Sequence, residues 1–98
     1  MEKRTPHCKL SMVHALAATG RAQATFSALM GGAALGFDFD GIVEIVQGLV
    51  PADFHKSMTT YADHRMWQDV YHVATDAGVV YLKLTVVNEV LIVSFKEK

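Results

Sequence analysis

The apolar residues of this chain change period at Pro51, and no other sequence feature restricts the fold as much. Before it they recur every three to four residues, as on a helix; beyond it they alternate, as in a half-buried strand. Leu10, Val13, His14 and Ala17 mark a first helix over about Lys9–Ala18, with Gly20 placed to stop it. A second helix is expected from Ala28 to Leu35, capped by Ser27, ended by Gly36 and weakened by Gly31 and Gly32 inside it. Asp40 is the expected cap of a third, whose apolar face is Ile42, Ile45, Val46 and Leu49; Pro51 forbids its continuation. Strands are expected over His55–Tyr61, Trp67–Ala74, Val79–Val87 and Val90–Lys96, with a turn at Thr75–Gly78 and another at Asn88-Glu89. Helices first and strands second make an α+β fold, with N-terminal helices packed on a C-terminal antiparallel sheet. A chain of 98 residues is expected to form one domain, 1–98, around one core.

The last two strands invite a register. If Asn88-Glu89 is a two-residue hairpin loop, Val87 faces Val90, Leu84 faces Val93, Leu82 faces Phe95 and Tyr81 lies opposite Lys96. Val80, Leu82, Leu84, Val86, Leu91, Val93 and Phe95 then form the core face. Tyr81, Lys83, Thr85, Ile92, Ser94 and Lys96 form the other. A phenol beside an ammonium on a solvated face can do acid–base work. The plainer reading, that these residues are only the wet side of a sheet, is the better supported by spacing alone. Upstream, Phe54, Lys56, Met58 and Thr60 share one face, and Gln68, Val70 and His72 another. Strand order decides whether these faces join, and spacing does not supply it.

Charge and cysteine content narrow the functional classes. Nine basic and ten acidic side chains are spread evenly, for a net charge of −1. Bulk charge therefore gives no support for nucleic-acid binding, and any such function must rest on local placement. Cys8 has no cysteine partner, and the five histidines show no metal-ligand spacing, so neither a disulfide framework nor a zinc site is expected. A reducing cytoplasm is the simplest home. The basic start, Met1–Pro6, is followed by no long apolar run of the secretory kind, and no stretch has membrane-spanning length. Gly31-Gly32 and Gly36 are not in phosphate-loop order, and Ser57, Thr59 and Thr60 lack a triad. His64, behind Asp63 in a turn, suits a loop histidine better than a catalytic base.

Several blocks carry a further signal: Met1-Glu2-Lys3-Arg4-Thr5-Pro6-His7, Lys56-Ser57-Met58-Thr59-Thr60, Asp63-His64, Trp67-Gln68-Asp69-Val70-Tyr71, Val80-Tyr81-Leu82-Lys83 and Phe95-Lys96-Glu97-Lys98. In this order and without gaps, they resemble the MqsR family of mRNA interferase toxins over essentially the whole chain, least over residues 8–35 and 72–79. The resemblance implies a RelE-like fold. It also implies a toxin–antitoxin function: a sequence-specific endoribonuclease that cuts single-stranded mRNA at GCU-like sites without metal or other cofactor. The implied partner is a zinc-containing helix-turn-helix antitoxin, through which alone operator DNA would be touched; no membrane is involved. The family's active-site positions fall on Lys56, Gln68, Tyr81 and Lys96, all present here, and Met58, His72 and Lys83 are the expected RNA-binding residues. Three positions depart from the family pattern. His72 stands where some members carry arginine, with Ala74 where another basic residue occurs, and His55 stands where a tyrosine is frequent.

Cleavage of this kind needs no metal-bound water, because the 2′-hydroxyl of RNA can attack the adjacent phosphorus. On this reading Tyr81 takes part in proton transfer, Lys56 and Lys96 stabilise charge or transfer protons, and Gln68 orients phosphate or ribose. The competing reading is a non-catalytic antitoxin-binding module and transcriptional co-repressor. Joint retention of the four residues favours the enzyme.

Overall fold

The helical period of the first half produces three nine-residue helices, α1 (Leu10–Ala18), α2 (Phe26–Ala34) and α3 (Phe39–Gln47), in a computed structural model that describes residues 1–98. Gly20 and Gly36, both at positive φ, end α1 and α2 as expected. Two caps differ from expectation. Thr25, not Ser27, caps α2, its hydroxyl accepting from the Ala28 amide at 3.1 Å. Asp38, not Asp40, caps α3, accepting from the Gly41 amide at 2.8 Å. In each case the cap is the residue with extended backbone, which aims its oxygen at the exposed amides. Asp40 sits in the first turn of α3, where its charge still suits the helix dipole.

Gly31 and Gly32 leave α2 intact because they are its contact surface. A methyl group on Gly31 would collide with the Phe95 carbonyl, and one on Gly32 would come within 2.6 Å of Ile42 Cδ1. The helix thus lies directly against the backbone of the last strand.

Six strands form one sheet: β1 (Glu2–Lys3), β2 (Ala22–Ala24), β3 (Phe54–Thr59), β4 (Trp67–Thr75), β5 (Gly78–Val86) and β6 (Val90–Glu97), in the spatial order β1-β3-β4-β5-β6-β2. The expected antiparallel sheet is in fact mixed. β3 to β6 are antiparallel neighbours, but β2 runs parallel to β6, pairing Ala22 with Val90 and Ala24 with Ile92. Such a pair needs a long crossover, which the whole of α2 through β5 supplies. β1 and β2 are two and three residues long, too short to show a period in sequence.

One face of the sheet shares its core with the helices. Val13, Ala28, Ile42 and Val46 belong to the same buried cluster as Tyr71, Leu82, Ile92 and Phe95. On this face Asp69, only 2% exposed, accepts from the amides of His7 at 2.9 Å and Cys8 at 3.0 Å, tying the N-terminal segment to the middle of β4. Burial raises the Cys8 thiol pKa, and the Asp69 charge adds to the shift.

The final hairpin corrects the expected register in part. Its loop is three residues, Val87–Glu89, with Asn88 at φ 64°, so Val86 pairs with Val90 and Leu84 with Ile92. Ile92, expected on the wet face, is therefore fully buried, while Leu91 and Val93 are half-buried. Beyond Leu84 the ladder shifts by one residue, because Val93 is extra on β6. From there Lys83 pairs with Ser94, Leu82 with Phe95 and Tyr81 with Lys96.

Candidate active site on the open face of the sheet

Strand order answers the question that spacing left open. Lys56 pairs with Val70, Val70 with Lys83, and Lys83 with Ser94. One step along, His72 pairs with Tyr81 and Tyr81 with Lys96. Met58 pairs with Gln68. Because side chains alternate along each strand, all seven sequence-predicted residues, Lys56, Met58, Gln68, His72, Tyr81, Lys83 and Lys96, lie on the face opposite the helices. From β3 to β6 they cross three strand spacings, roughly 14 Å. Val70, completely buried, forms an apolar floor among them.

Two bulges make this arrangement compatible with the core. On β3, Phe54 pairs with Tyr71 and Lys56 with Val70, which leaves His55 as an extra residue. Phe54 therefore does not share a face with Lys56, as simple alternation predicts. It turns inward, its ring edge-on to Tyr71 at 5.6 Å, and packs against the core. His55 joins Lys56 on the open side, where it stacks on His72 with ring centroids 4.2 Å apart. On β6, the bulge at Val93 does the same for Lys96: were Val93 paired in regular alternation, Lys96 would share the inward parity of Val90 and Ile92. The Val93 carbonyl accepts from the Thr25 hydroxyl at 2.9 Å, so the bulge is held by the residue that caps α2.

The resulting surface has a defined chemical pattern. Across four strands run His55, His72, Tyr81 and Lys96, with His72 and Tyr81 rings 5.9 Å apart and the Lys96 ammonium 5.3 Å from the Tyr81 ring centre. Lys56 and Lys83 stand in the next row, with Val70 between them. The Lys56 ammonium lies 2.6 Å from Glu2 Oε1, an ion pair that lowers the Glu2 carboxyl pKa. Burial lowers the pKa of the His72 imidazole, and the neighbouring charges of His55, Lys98 and Lys56 add to the effect. Next along β4, Tyr71 points into the core, and burial drives its pKa well above the usual phenol range. Tyr81 lies on the open side, between His72 and Lys96. Asp38, Asp40 and Glu44 lie on or beside α3, whose Ile42 and Val46 pack into the core on the other face. A chain with no net basic excess thus presents a locally cationic surface.

Sequence reasoning missed Glu2 as a neighbour of Lys56 and His55 as a member of the face. A two-residue strand leaves no periodic trace, and a bulge reverses parity without any signature residue. Pairing a lone acid with each lysine was the only available clue to Glu2. At the β1 border, Met1, Glu2, Met58 and His64 help to line a hollow of about 270 Å³, so His64 sits at the margin of the surface and not within the row.

Comparison with known proteins identifies a family. The family model described as "Motility quorum-sensing regulator, toxin of MqsA" matches residues 5–97. The mRNA interferase toxin MqsR of Escherichia coli strain K12 is 56% identical over 98 residues, covering 100% of both chains.

Proposed function

The chain belongs to the MqsR toxin family, and from that premise we propose that the open face formed by β3 to β6 is where it cuts RNA. It is an mRNA interferase, an endoribonuclease toxin whose substrate is mRNA and whose partner is an antitoxin. One observation carries the assignment of the face: Lys56, Gln68, Tyr81 and Lys96 come from four adjacent strands onto one side, with Tyr81 and Lys96 paired directly.

The chemistry follows from what RNA cleavage requires. The 2′-hydroxyl oxygen bonds to phosphorus, the bond to the 5′-oxygen breaks, one proton leaves the 2′-hydroxyl and one reaches the departing oxygen. Tyr81 takes part in the proton transfer. Lys96, over the Tyr81 ring, stands ready for the growing charge on phosphate. Lys56 supplies charge from the other side, and Gln68 orients phosphate or ribose. Met58, His72 and Lys83 extend the contact along the single strand, His72 offering a ring for base stacking. In this reading the protein is a single RelE-like domain of the cytoplasm. It prefers GCU-like sites, and a zinc-containing helix-turn-helix antitoxin neutralises it and alone contacts operator DNA.

The test is incubation with a defined single-stranded RNA in excess EDTA. The expected products carry a 2′,3′-cyclic phosphate and a 5′-hydroxyl, and a DNA copy stays intact. Tyr81→Phe should slow cleavage by about 100-fold or more with its unfolding midpoint unchanged. A Tyr81→Phe protein that cuts at the wild-type rate removes Tyr81 from the chemistry.

A further inference from the structure

Only one of the three lysines on the open face has a carboxylate partner. Glu2 reaches Lys56 at 2.6 Å, whereas Lys83 and Lys96 have no acid within salt-bridge distance. Glu2 comes from β1, which exists only as the sheet's border beside β3, pairing Glu2 with Met58. This border is fixed at its end. The Met1 amine donates to the Thr59 hydroxyl at 2.9 Å, and the Met1 carbonyl accepts from the Thr59 amide at 3.0 Å. Alternation then divides the next two residues. Lys3 goes to the far side over the Trp67 ring, at 4.2 Å, and Glu2 stays on the open side with Lys56.

A pair this exposed adds little to folding: the Glu2 side chain is 53% accessible and that of Lys56 24%. Its effect is geometric. A lysine arm has four flexible carbons, and a carboxylate bound to one of the three ammonium hydrogens fixes where the other two point. We propose that Glu2 is a positioning residue for Lys56. It holds the ammonium at the β3 border of the site as a fixed cation for substrate phosphate and leaves proton transfer to Tyr81 and Lys96. This inference rests on the reading of the open face as the cleavage site.

A double-mutant cycle on the full chain, read as separate kcat and KM on one RNA oligonucleotide, tests it. Glu2→Ala is expected to lower kcat about tenfold through misplacement of Lys56, with KM within about twofold and the unfolding midpoint unchanged. Glu2→Gln, which keeps the acceptor and loses the charge, should fall between. In a Lys56→Ala background, Glu2→Ala should change nothing further. Full kcat in Glu2→Ala, a gain in activity, or additive losses in the double variant would each overturn the proposal. If instead Lys56→Ala alone cuts at the wild-type rate, the reading of the face fails, and the part given to Glu2 fails with it.

Discussion

The two central strands and the two that flank them follow different rules. β4 and β5 pair without interruption through seven consecutive positions, from Asp69–Leu84 to Thr75–Gly78. β3 and β6 each break step once, at His55 and Val93. The reason lies in parity. On β3, the inward anchor Phe54 and the outward Lys56 are two residues apart. On β6, the buried Val90 and Ile92 share their parity with Lys96. Unbroken alternation would force each strand to give up either its core anchor or its lysine. One extra residue lets each strand keep both, so the bulges are the price of placing lysines on both sides of a regular centre.

The strongest way to break this comparison is to insert one alanine between Val93 and Ser94. A β6 that keeps its single bulge would then turn Phe95 outward and carry Lys96 toward the core. Loss of a buried phenylalanine alone costs about 3–5 kcal/mol, a large share of the stability of a small domain. Urea unfolding should show a collapse of the midpoint or no folded state; an unchanged midpoint would mean that the parity of β6 does not hold Phe95 in the core.

Gly31→Ala probes what holds the flank in place, since β6 leans on α2 and β3 has no helix along it. Overpacking against the Phe95 carbonyl should cost about 1–3 kcal/mol in the same assay and should lower cleavage by moving Lys96. An equivalent loss of stability with full cleavage would separate α2 from the site.

The smallest effect concerns His72, where a central strand meets the His55 bulge. Its folded-state pKa lies below the ordinary 6.5, so the unfolded chain takes up the proton first. Stability is therefore full above about pH 6.5, declines as pH falls toward the folded-state value, and levels off below it. His72→Gln should remove this part of the slope, seen by comparing unfolding midpoints at pH 8 and pH 5. His72→Arg should tighten RNA binding at neutral pH and steepen its salt dependence, measured by titration at two salt concentrations. No change in either would leave His72 outside the RNA path.

Much of the central region was legible in the sequence. The change of period at Pro51 separates helices from long strands, and the Tyr81–Lys96 pairing follows from the hairpin at the end of the chain. That pairing was reached with the wrong loop. A three-residue turn shifts the strands by one, and Val93 shifts them back, so the error cancels at Tyr81 and survives at Leu91, Ile92 and Val93. The caps were misplaced for a related reason. Thr25 and Ser27, like Asp38 and Asp40, are all sound local choices, and the choice between them is tertiary. Thr25 wins a second bond at the Val93 carbonyl that no local rule contains. The border strands, the Asp69 clasp on the His7 and Cys8 amides and the Glu2–Lys56 pair join distant parts of the chain, and a reading by period cannot see them.

The spatial order of the strands also sets the order of assembly. The β4–β5 and β5–β6 hairpins close between sequence neighbours, but the outermost strands come from the first quarter of the sequence and dock on partners made much later. Closing such long loops is entropically slow, so these borders are completed after the hairpins. Lys96 lies near the end of β6, and Lys56 meets Glu2 only after β1 has docked. A chain emerging from the ribosome therefore carries no complete open face until its last strand has been released. Until then the message being translated meets no surface on which Lys56, Gln68, Tyr81 and Lys96 stand together.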